Sequence, residues 1–453
     1  MTGRATTVLI VGAGASGLAC AESLQRVGID FVLLEVRDRV GGRMRTDSEL
    51  LPGTPVELGA LMVHGRHVPT HAWAREAGVE VRPFPNTRRA RLVVDGKARS
   101  FRSLLLPLPG PVGWPALVQG LYSVPRELAR YDGPEETLAD FLASRPMRAG
   151  ARLLVELLHA HTWAADPDEL GVIAARDSAE PSHEPFGFRN FQLTSGYSDL
   201  AARKAAGLGL QIRLNHAVQA IRWGGDSVVV EGLDSVTNAP FTLSSRRLVV
   251  TVPLGVLRAG VPAFDPVLPL AKRQAIDRLG FGRAVSTALR FHGGNLTDRL
   301  GRFIVLWAGG TSSFLRPRFE RGEADDVLVA FATGREAGRR ALLSDQALVQ
   351  ETMAELAEAV PAGIDLGELR GYRVARWASD PWTRGAYSFP APGSSPKDRR
   401  ALAEPLDGRV FFAGEATHYL GECATVHGAI ETGWRAAAEV LRSLGRGSPP
   451  TAG

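Results

Sequence analysis

Three glycines near the start of the chain are spaced as in the phosphate-binding turn of a dinucleotide site. Gly12, Gly14 and Gly17 follow an apolar run at Thr7–Val11, and Glu35 stands 18 residues after the third glycine. The first glycine permits a tight turn, the second lets the backbone approach a pyrophosphate, and the third lets helix and sheet pack closely. The carboxylate of Glu35 could then accept hydrogen bonds from ribose hydroxyls. This spacing predicts a dinucleotide-binding site.

A strand, a helix and a second strand must position this turn. Residues 18–28 have helical spacing and stop at Gly28, and Phe31–Leu34 is typical of a buried strand. At the N-terminus of the helix, Ala15 and Ser16 would present unpaired N–H groups and partial positive charge to the phosphates. The order strand, turn, helix, strand predicts an α/β fold.

A second glycine motif follows at Gly41, Gly42 and Arg43. A pyrophosphate carries two negative charges, whereas a helix N-terminus supplies only about half of one positive charge. Arg43 is placed to supply the remainder, and the alternative interpretation is a solvated surface arginine.

Near the other end of the chain, a strand at Val410–Ala413 precedes Gly414 and Glu415. A helix then begins near Val426, and its small residues would let a flat ring lie close to the backbone: Gly428, Ala429, Gly433 and Ala436.

Composition excludes several other classes of function. The chain has 453 residues and a formal net charge of +5, spread without a basic stripe, which argues against nucleic-acid binding. Its two cysteines, Cys20 and Cys423, are far apart and do not indicate a disulfide framework. The apolar segment Ser103–Val118 is broken by prolines and predicts an irregular wall or loop, so no membrane span is expected. The first strand near Thr7 leaves no room for a signal peptide, so the predicted location is cytoplasmic, and no metal site is predicted.

In these motifs the chain resembles the flavin-containing amine oxidases, which include monoamine oxidases, polyamine oxidases and lysine-specific histone demethylases. The matching pieces, in chain order, are GAGASG, EVRDRVGGR, ELGALMVHG, LNHAVQAI, VVTVPLGVL, FDPVLP, DRLGFG, SDPWTRGAYSF, FFAGEAT and ATVHGAIETG. The resemblance implies FAD as the cofactor, bound in a discontinuous α/β domain, and a separate α+β substrate-binding domain. The implied boundaries are 1–80, 205–290 and 385–445 for the FAD domain, 81–204 and 291–384 for the substrate domain, and 446–453 for a flexible tail.

The resemblance also implies which residues contact the cofactor beyond the glycine turn. At the adenosine end, the implied contacts are Glu35 on the ribose and Val218 on adenine. Near the phosphates and the ribityl chain they are Arg37, Gly42, Arg43, Gly414 and Glu415. At the isoalloxazine they are Gly59, Ala60, Leu61 and Met62 along the ring, and Thr425 and Val426 at its pyrimidine edge. Two-electron reduction leaves negative charge at that edge, and a helix N-terminus aimed there would stabilise it.

The implied reaction is the oxidation of an amine to an imine by hydride transfer to flavin N5, followed by hydrolysis. The amine must be neutral to react, and an apolar site favours the neutral form through desolvation. Tyr387 matches the family's aromatic wall, where it would stack on the amine. The facing aromatic of monoamine oxidases falls on Thr425, so the cage is half open and a polyamine or another bulky amine is favoured. Ala386 stands where monoamine oxidases have a flavin-linking cysteine, so FAD should be non-covalent.

Two further positions bear on the chemistry. His64 aligns with a histidine at the active-site edge of animal polyamine oxidases, and a structural histidine is the alternative. Ser286 stands where the family places a lysine that bonds through water to flavin N5. That lysine is linked to oxygen reactivity, so its absence predicts slow use of O₂ or a different electron acceptor.

Two alternative functions remain open at the level of sequence. An L-amino acid oxidase would need an arginine for the substrate carboxylate; Met62 stands at the expected position, and Arg66 is close by. A flavin-binding scaffold without turnover is an alternative of another class.

For a polyamine substrate, Asp177, Glu180 and Glu184 are candidate partners of a distal ammonium, or simply a solvated acidic loop. Trp377 and Trp382 could line the site, although core packing is the more common role.

Overall fold

The computed structural model describes residues 6–84, 91–94, 97–100, 114–178, 190–295, 306–307, 312–315, 325–360 and 363–447. The helices in these ranges are α1 (Ala15–Arg26), α2 (Pro69–Glu76), α3 (Trp114–Val118), α4 (Val124–Arg130), α5 (Leu138–Ala143), α6 (Ala149–His159), α7 (Val172–Ser178), α8 (Gly196–Ala206), α9 (Leu254–Arg258), α10 (Leu270–Arg278), α11 (Gly334–Arg340), α12 (Asp345–Ala359), α13 (Pro396–Ala403) and α14 (Val426–Ser443). Short 3₁₀ turns lie at His161–Trp163, Gly209–Gln211 and Glu415–Thr417, and a π-helical turn lies at Gln119–Ser123.

The strands in the same ranges are β1 (Thr6–Val11), β2 (Phe31–Leu34), β3 (Thr46–Asp47), β4 (Val56–Glu57), β5 (Val63–His64), β6 (Val81–Pro83), β7 (Arg91–Val94), β8 (Lys97–Ser100), β9 (Asn190–Leu193), β10 (Ile212–Arg213), β11 (His216–Arg222), β12 (Val228–Asp234), β13 (Pro240–Val250), β14 (Ala263–Asp265), β15 (Gly280–Phe281), β16 (Ala284–His292), β17 (Leu306–Trp307), β18 (Ser312–Leu315), β19 (Asp325–Thr333), β20 (Glu368–Arg376), β21 (Ser388–Phe389) and β22 (Val410–Phe412).

The central sheet joins strands from the start, the middle and the end of the chain. Its order is β10-β2-β1-β13-β12-β11-β14, and β22 also pairs with β13. β1 pairs in parallel with β2 and β13, and its apolar residues are buried because helices or strands cover both faces. The long strand β13 changes partner along its length: Pro240–Ser245 pairs antiparallel with β12, and Leu248–Val250 pairs in parallel with β22. This change of partner attaches a three-stranded meander to the parallel sheet.

Helices from opposite ends of the chain cover one face of that sheet. α14 packs directly on α1, because a Cβ on Gly433 would lie 2.3 Å from the carbonyl oxygen of Ser16 and only glycine permits this approach. Behind the other face, α10 and α13 pack together, and the buried Lys272 donates three hydrogen bonds of 2.7–2.9 Å to the carbonyls of Ala401, Leu402 and Glu404. The ammonium thereby satisfies carbonyl groups at the C-terminus of α13 that have no partner within the helix.

A second, antiparallel sheet has the order β17-β18-β19-β16-β20. β16 is its centre, paired with β19 on one side and β20 on the other, and α12 packs against it through Leu356. The opposite face of β16 meets residues of the first part of the chain, including Val56 and Leu58. A separate helical core contains Phe141, Leu142, Val155 and Leu170. The described elements thus have the α/β fold with an added α+β part that the sequence predicts.

Most predicted elements are present, and the differences are local. The N-terminal strand, the glycine turn, the helix after it and the helix from Val426 all form. Helices α5 and α6 also form, in the part of the chain that the resemblance assigns to the substrate domain. The prediction of an irregular wall or loop at Ser103–Val118 is wrong for Trp114–Val118, which forms a helix. Pro115 is compatible with this helix because it falls in the first turn, where the N–H that proline lacks would have no partner within the helix. Residues 103–113 lie outside the described residues.

The domain boundaries stay predictions. The boundary at 204/205 falls inside α8, whose Tyr197 and Leu200 are buried in the same core as α1. Residues 448–453 of the predicted tail lie outside the described residues. Among the described residues, no helix combines the length and the apolar character needed to cross a membrane.

Glu57 is a buried carboxyl group that joins this core to the N-terminus of α8. Its two oxygens accept hydrogen bonds from the hydroxyl of Thr46 (2.7 Å) and the backbone N–H of Tyr197 (2.8 Å). Burial outweighs both hydrogen bonds and raises the pKa of Glu57 to about 8. Between the ordinary pKa of a glutamate and pH 8, the folded chain therefore holds a proton that the unfolded chain has released. Across that window, protonation of Glu57 makes stability fall as the pH rises.

We expect Glu57→Gln to remove this pH dependence, because glutamine keeps the shape and does not ionise. Relative to wild type, the variant should gain stability on the order of a few kcal/mol between pH 5 and pH 8.5, at about 1.4 kcal/mol per pKa unit. Thermal unfolding of the flavin-free protein at both pH values measures this gain. Glu49→Gln, at a side chain that is 82% exposed, serves as the control. Parallel pH profiles for wild type and Glu57→Gln would contradict the prediction.

Candidate active site

A cavity of about 910 Å³ runs from the glycine turn after β1 to the ring of Tyr387. Its size lies near the upper end of the range for ligand pockets, roughly 300–1,000 Å³. The predicted site residues that line it are Gly12, Gly14, Ala15, Ser16, Glu35, Arg37, Gly42, Arg43, Gly59, Ala60, Leu61, Met62, His64, Val218, Ser286, Tyr387, Gly414, Glu415, Thr425 and Val426. Gly17 packs behind the turn, outside this lining.

The three glycines of the turn have different physical roles. Gly12 has φ +105°, and its Cβ would lie 2.5 Å from the hydroxyl of Thr251. A Cβ on Gly17 would lie 1.8 Å from the carbonyl oxygen of Gly12, so the protein's own packing requires both residues to be glycine. Gly14 has an ordinary φ of −75°, and a Cβ there would meet nothing within 4 Å. The missing side chain of Gly14 therefore fits a group that approaches the backbone from the cavity.

Glu35 ends β2 at the same edge of the sheet. Its carboxylate accepts hydrogen bonds from the backbone N–H groups of Ala13 (2.8 Å) and Arg37 (3.0 Å), and burial raises its pKa above the ordinary value. A carboxylate has further acceptor sites, so these bonds fix its orientation without using its full capacity. Val218 lies nearby on β11, ahead of the Ala220–Arg222 segment that pairs with β14. Val218 pairs with Gly232 of β12 and also lines the cavity.

Arg43 and the buried Glu415 form a partly buried ion pair in the cavity wall. Nη1 of Arg43 donates to Oε1 of Glu415 (2.9 Å) and to the carbonyl oxygen of Ala386 (2.7 Å). Glu415 also accepts from the hydroxyl of Ser388 (2.6 Å) and the N–H of Ala424 (3.0 Å). Burial alone would raise the pKa of Glu415, but the charge of Arg43 and these hydrogen bonds lower it below the ordinary value. Glu415 is therefore ionised, and Arg43 brings less free positive charge to the cavity than its sequence position alone implies.

Tyr387 forms part of the wall at the other end of the cavity. Its hydroxyl donates to the carbonyl oxygen of Thr162 (3.0 Å), and its own carbonyl accepts from the N–H of Gly282 (2.7 Å). The first bond holds the ring at its hydroxyl, and the second holds the backbone of Tyr387. Burial raises the pKa of the phenol, which stays neutral. Apolar side chains line the same region of the cavity: Leu61, Met62, Val329, Phe331 and Trp382.

Thr425 is the cap of α14 as well as a cavity residue. Its hydroxyl accepts from the N–H of Gly428 (2.9 Å) and donates to the carbonyl oxygen of Glu422 (2.7 Å). Such a cap contributes about 1 kcal/mol to helix stability. The helix therefore begins at the cavity with Val426, as the sequence predicts, and no aromatic side chain occupies position 425.

His64 lies on β5 and faces the cavity, so its ring is accessible to solvent although protein surrounds it. Its Nδ1 lies 2.8 Å from Oδ1 of Asn190 on β9, and burial lowers its pKa below the ordinary value. The imidazole is therefore neutral at neutral pH. Glu422 also lines the cavity and pairs with the buried His427 at 2.6 Å. Sequence patterns did not indicate Asn190, Glu422 or His427. Glu422 and His427 lie next to Thr425 in the sequence, whereas Asn190 is 126 positions from His64 and gave no local signal.

Ser286 lies on β16 between Phe331 of β19 and Ala375 of β20, and it is buried at the cavity wall. Among the described lining residues there is no lysine, and the arginines there are Arg37 and Arg43. Both arginines are already paired: Arg37 donates to Asp380 at 2.7 Å, and Arg43 donates to Glu415. The described lining therefore offers no unpaired arginine for a substrate carboxylate.

Several other candidates from the sequence lie elsewhere or pack structurally. Asp177 is exposed, pairs with Arg176 and does not line the cavity, and Arg66 does not line it either. Glu180 and Glu184 lie outside the described residues. The indole of Trp377 donates to the carbonyl of Leu58 (2.8 Å) and is buried, which is a core-packing role at the cavity edge.

Comparison with known families decides which kind of dinucleotide site this is. A family model described as flavin containing amine oxidoreductase matches residues 15–441. The chain belongs to this family. The match confirms the resemblance seen in the sequence motifs, and it implies a flavin cofactor for the cavity.

Individual relatives agree with this assignment. Lysine-specific histone demethylase 1 homolog 1 of Arabidopsis thaliana is 31% identical over 472 residues, which cover 96% of this chain and 52% of that protein. The chain thus spans about half the length of the demethylases that it matches. Polyamine oxidase 1 of Oryza sativa subsp. japonica is 29% identical over 527 residues, which cover 100% of this chain and 100% of that protein.

Solved structures show the same fold. Cyclohexylamine oxidase from Brevibacterium oxydans IH-35A superposes with a TM-score of 0.82 at 22% identity, covering 98% of this chain and 100% of that one. Wild-type putrescine oxidase bound to putrescine superposes with a TM-score of 0.79 at 21% identity, covering 97% and 99%. The cavity of this family member is therefore set in the same fold as these two amine oxidases.

Gly14→Ala and Gly17→Ala should separate cofactor contact from packing. We expect Gly17→Ala to destabilise the flavin-free protein by about 1–3 kcal/mol, because the added methyl group overlaps the carbonyl of Gly12. Gly14→Ala should leave that stability unchanged and raise the dissociation constant of FAD at least about tenfold, because its methyl group enters the space of the pyrophosphate. Thermal unfolding and FAD titration measure the two effects. Normal FAD affinity in Gly14→Ala would contradict the role given to this residue.

Proposed function

We propose that the protein is an FAD-dependent oxidoreductase that oxidises the C–N bond of an amine, with a polyamine or another bulky amine as the favoured substrate. The observation that carries this proposal is the continuity of the cavity, which joins the dinucleotide turn at Gly14 to the aromatic wall at Tyr387. A cofactor held by the turn would extend toward that wall. Family membership supports the same conclusion.

The residues of the cavity fit FAD along its length. The N-terminus of α1 and the open space at Gly14 would receive the pyrophosphate, and Glu35 would bind the adenosine ribose. Backbone at Val218 would contact adenine. At the opposite end, Gly59–Met62 would run along the isoalloxazine, and the N-terminus of α14 at Val426 would face its pyrimidine edge.

We also propose that the FAD is bound without a covalent link. Ala386, beside Tyr387, has no nucleophilic atom. Cys423 lines the cavity, but burial raises the pKa of its thiol, so it stays protonated and is a poor nucleophile. Cys20 and Cys423 are both free and buried, which fits a reducing compartment, and we propose a cytoplasmic location.

The flavin supplies the two-electron acceptor chemistry when it is bound, taking a hydride equivalent from the carbon beside nitrogen to leave an imine that water hydrolyses. The protein's part is to bind the amine in its neutral form. Apolar groups such as Leu61, Phe331 and the ring of Tyr387 disfavour an ammonium ion there through desolvation. The neutral imidazole of His64 adds no positive charge that would repel the incoming substrate. Tyr387, fixed by Thr162, would orient the amine against its face.

Substrate size follows from the residue opposite Tyr387. Thr425 is small and committed to capping α14, so the space facing the tyrosine is not closed by a second ring. This favours a long or bulky amine. Glu422 is a carboxylate in the lining that could attract a second cationic group, whereas Asp177 lies outside the cavity. An L-amino acid oxidase is less well supported, because the arginines of the described lining are already paired.

An anaerobic titration of the visible flavin spectrum tests the proposed function. The amines to add are putrescine, spermidine, N-acetylated polyamines, cyclohexylamine and arylalkylamines, with L-amino acids as the comparison. We expect bleaching by one amine class and none by the amino acids. Bleaching by L-amino acids alone would establish the rival activity. A flavin that no member of the panel reduces would favour the non-catalytic scaffold.

Ser286→Lys tests the predicted effect on the electron acceptor. Ser286 is buried at the cavity wall and carries no charge, so we expect the reduced wild-type protein to be reoxidised slowly by O₂. A lysine there would add a positive charge near the reacting part of the cofactor and raise the reoxidation rate at least about tenfold. Stopped-flow mixing of the reduced protein with aerated buffer measures the rate. Ser286→Met controls for side-chain length, and fast reoxidation of the wild type would contradict the prediction.

A further inference from the structure

Arg399 on α13 is an unusual buried charge. Its side chain is 1% exposed, and none of the described carboxylates lies within salt-bridge distance of it. Nη1 donates to the hydroxyl oxygen of Ser388 (2.7 Å) and to the carbonyl of Ala416 (3.2 Å), while Nε and Nη2 have no hydrogen-bond partner among the described residues. Because an isolated buried charge is costly, its position calls for a compensating negative group nearby.

Ser388 connects Arg399 to that negative group. The serine hydroxyl, itself fully buried, donates to Oε2 of Glu415 at 2.6 Å. A hydroxyl has a single hydrogen, and Arg399 donates to the oxygen that carries it. The arginine therefore leaves the serine hydrogen only one role, which is to bond the carboxylate. Each bond polarises the next, so the short chain Arg399, Ser388, Glu415 strengthens as a unit.

Glu415 in turn holds two parts of the cavity wall. Arg43 pairs with Oε1 of Glu415 at 2.9 Å, and the N–H of Ala424 donates to Oε2 at 3.0 Å. Ala424 directly precedes Thr425, the cap of α14 at the proposed flavin edge. Arg399 lies outside the cavity lining, and its bonds to Ser388 and to the carbonyl of Ala416 connect it to Glu415 and to the residue that follows it.

We propose that Arg399 is a positioning residue for the cofactor, acting through Ser388 to hold Glu415 ionised and in place. This inference rests on the proposed FAD site. The charged and titratable groups around Glu415 are Arg43, Arg399, Tyr387 and Cys423. Removal of Arg399 leaves Arg43 as the only cation of this set. A protonated Glu415 would release Arg43 and the turn at Ala424, so FAD affinity should fall.

The test compares the FAD affinity of wild type and Arg399→Met at pH 8 and pH 6, measured by flavin fluorescence. We expect the dissociation constant of the variant to rise at least about tenfold at pH 8, as for loss of a hydrogen bond from a charged group. The difference from wild type should widen at pH 6, where Glu415 takes up a proton more readily once Arg399 is gone. Arg399→Lys, which keeps the charge, should recover part of the affinity at both pH values.

Arg400→Met is the matched control, because Arg400 is the next residue of α13, is exposed and stacks on Tyr419. It should bind FAD as the wild type does. If Arg399→Met does not fold, Ser388→Ala carries the test, since it breaks the same chain and removes only one oxygen. In a stable background the two substitutions should be non-additive, because either one interrupts the chain.

The outcomes separate this inference from the proposed function. A wild type that binds no FAD would overturn the proposed function and this inference with it. Tight, pH-independent FAD binding by Arg399→Met would overturn the inference alone. A lysine variant as weak as the methionine variant, or additive effects of the two substitutions, would also contradict a charge transmitted through Ser388.

Discussion

The buried carboxylate of Glu415 is the interaction on which the arrangement of the site depends. The residue stands in the last quarter of the chain and pairs with Arg43, 372 positions earlier, while its other oxygen bonds Ser388 and the N–H of Ala424. One charge thus ties the N-terminal glycine motifs, the strand after Tyr387 and the start of α14 to a single point. The low dielectric of the interior strengthens each of these bonds, and neighbouring bonds polarise one another. They add to the packing of α14 on α1, which brings the two ends of the chain together.

Packing and ligand contact make separate demands on neighbouring residues of the cavity. Gly12 and Gly17 are glycines because Thr251 and the backbone of the turn leave no space for a side chain. Gly14 has space and an ordinary conformation, so the packing of the protein does not require glycine there, and the proposed contact with the cofactor would explain it. Thr425 meets both requirements in the proposed function, since its hydroxyl caps α14 and its side chain lines the cavity without an aromatic ring. The proposal therefore assigns substrate size and helix stability to the same residue.

Local patterns predicted the parts of the fold and site that depend on local rules. The glycine spacing, the apolar run of β1 and the small residues after Val426 each specify a backbone conformation within a few positions, and all three elements form. The partners of Arg43 and His64 could not be read in this way, because Glu415 and Asn190 are brought to them only by tertiary folding. The irregular segment predicted through residue 118 was wrong where Pro115 begins a helix instead of breaking one. Asp177 faces solvent and does not line the cavity. The polarity of a residue alone does not specify which surface it occupies, so the sequence could not predict this.

We propose that the cavity holds a non-covalently bound FAD, and analysis of the released cofactor tests this proposal. The protein would be purified, its visible spectrum recorded, and the chain denatured and precipitated with acid. We expect a flavin spectrum before denaturation and FAD in the supernatant, at about one molecule per chain. Flavin that stays with the precipitated chain would contradict the absence of a covalent link. A protein that neither contains FAD nor binds added FAD would contradict the account as a whole.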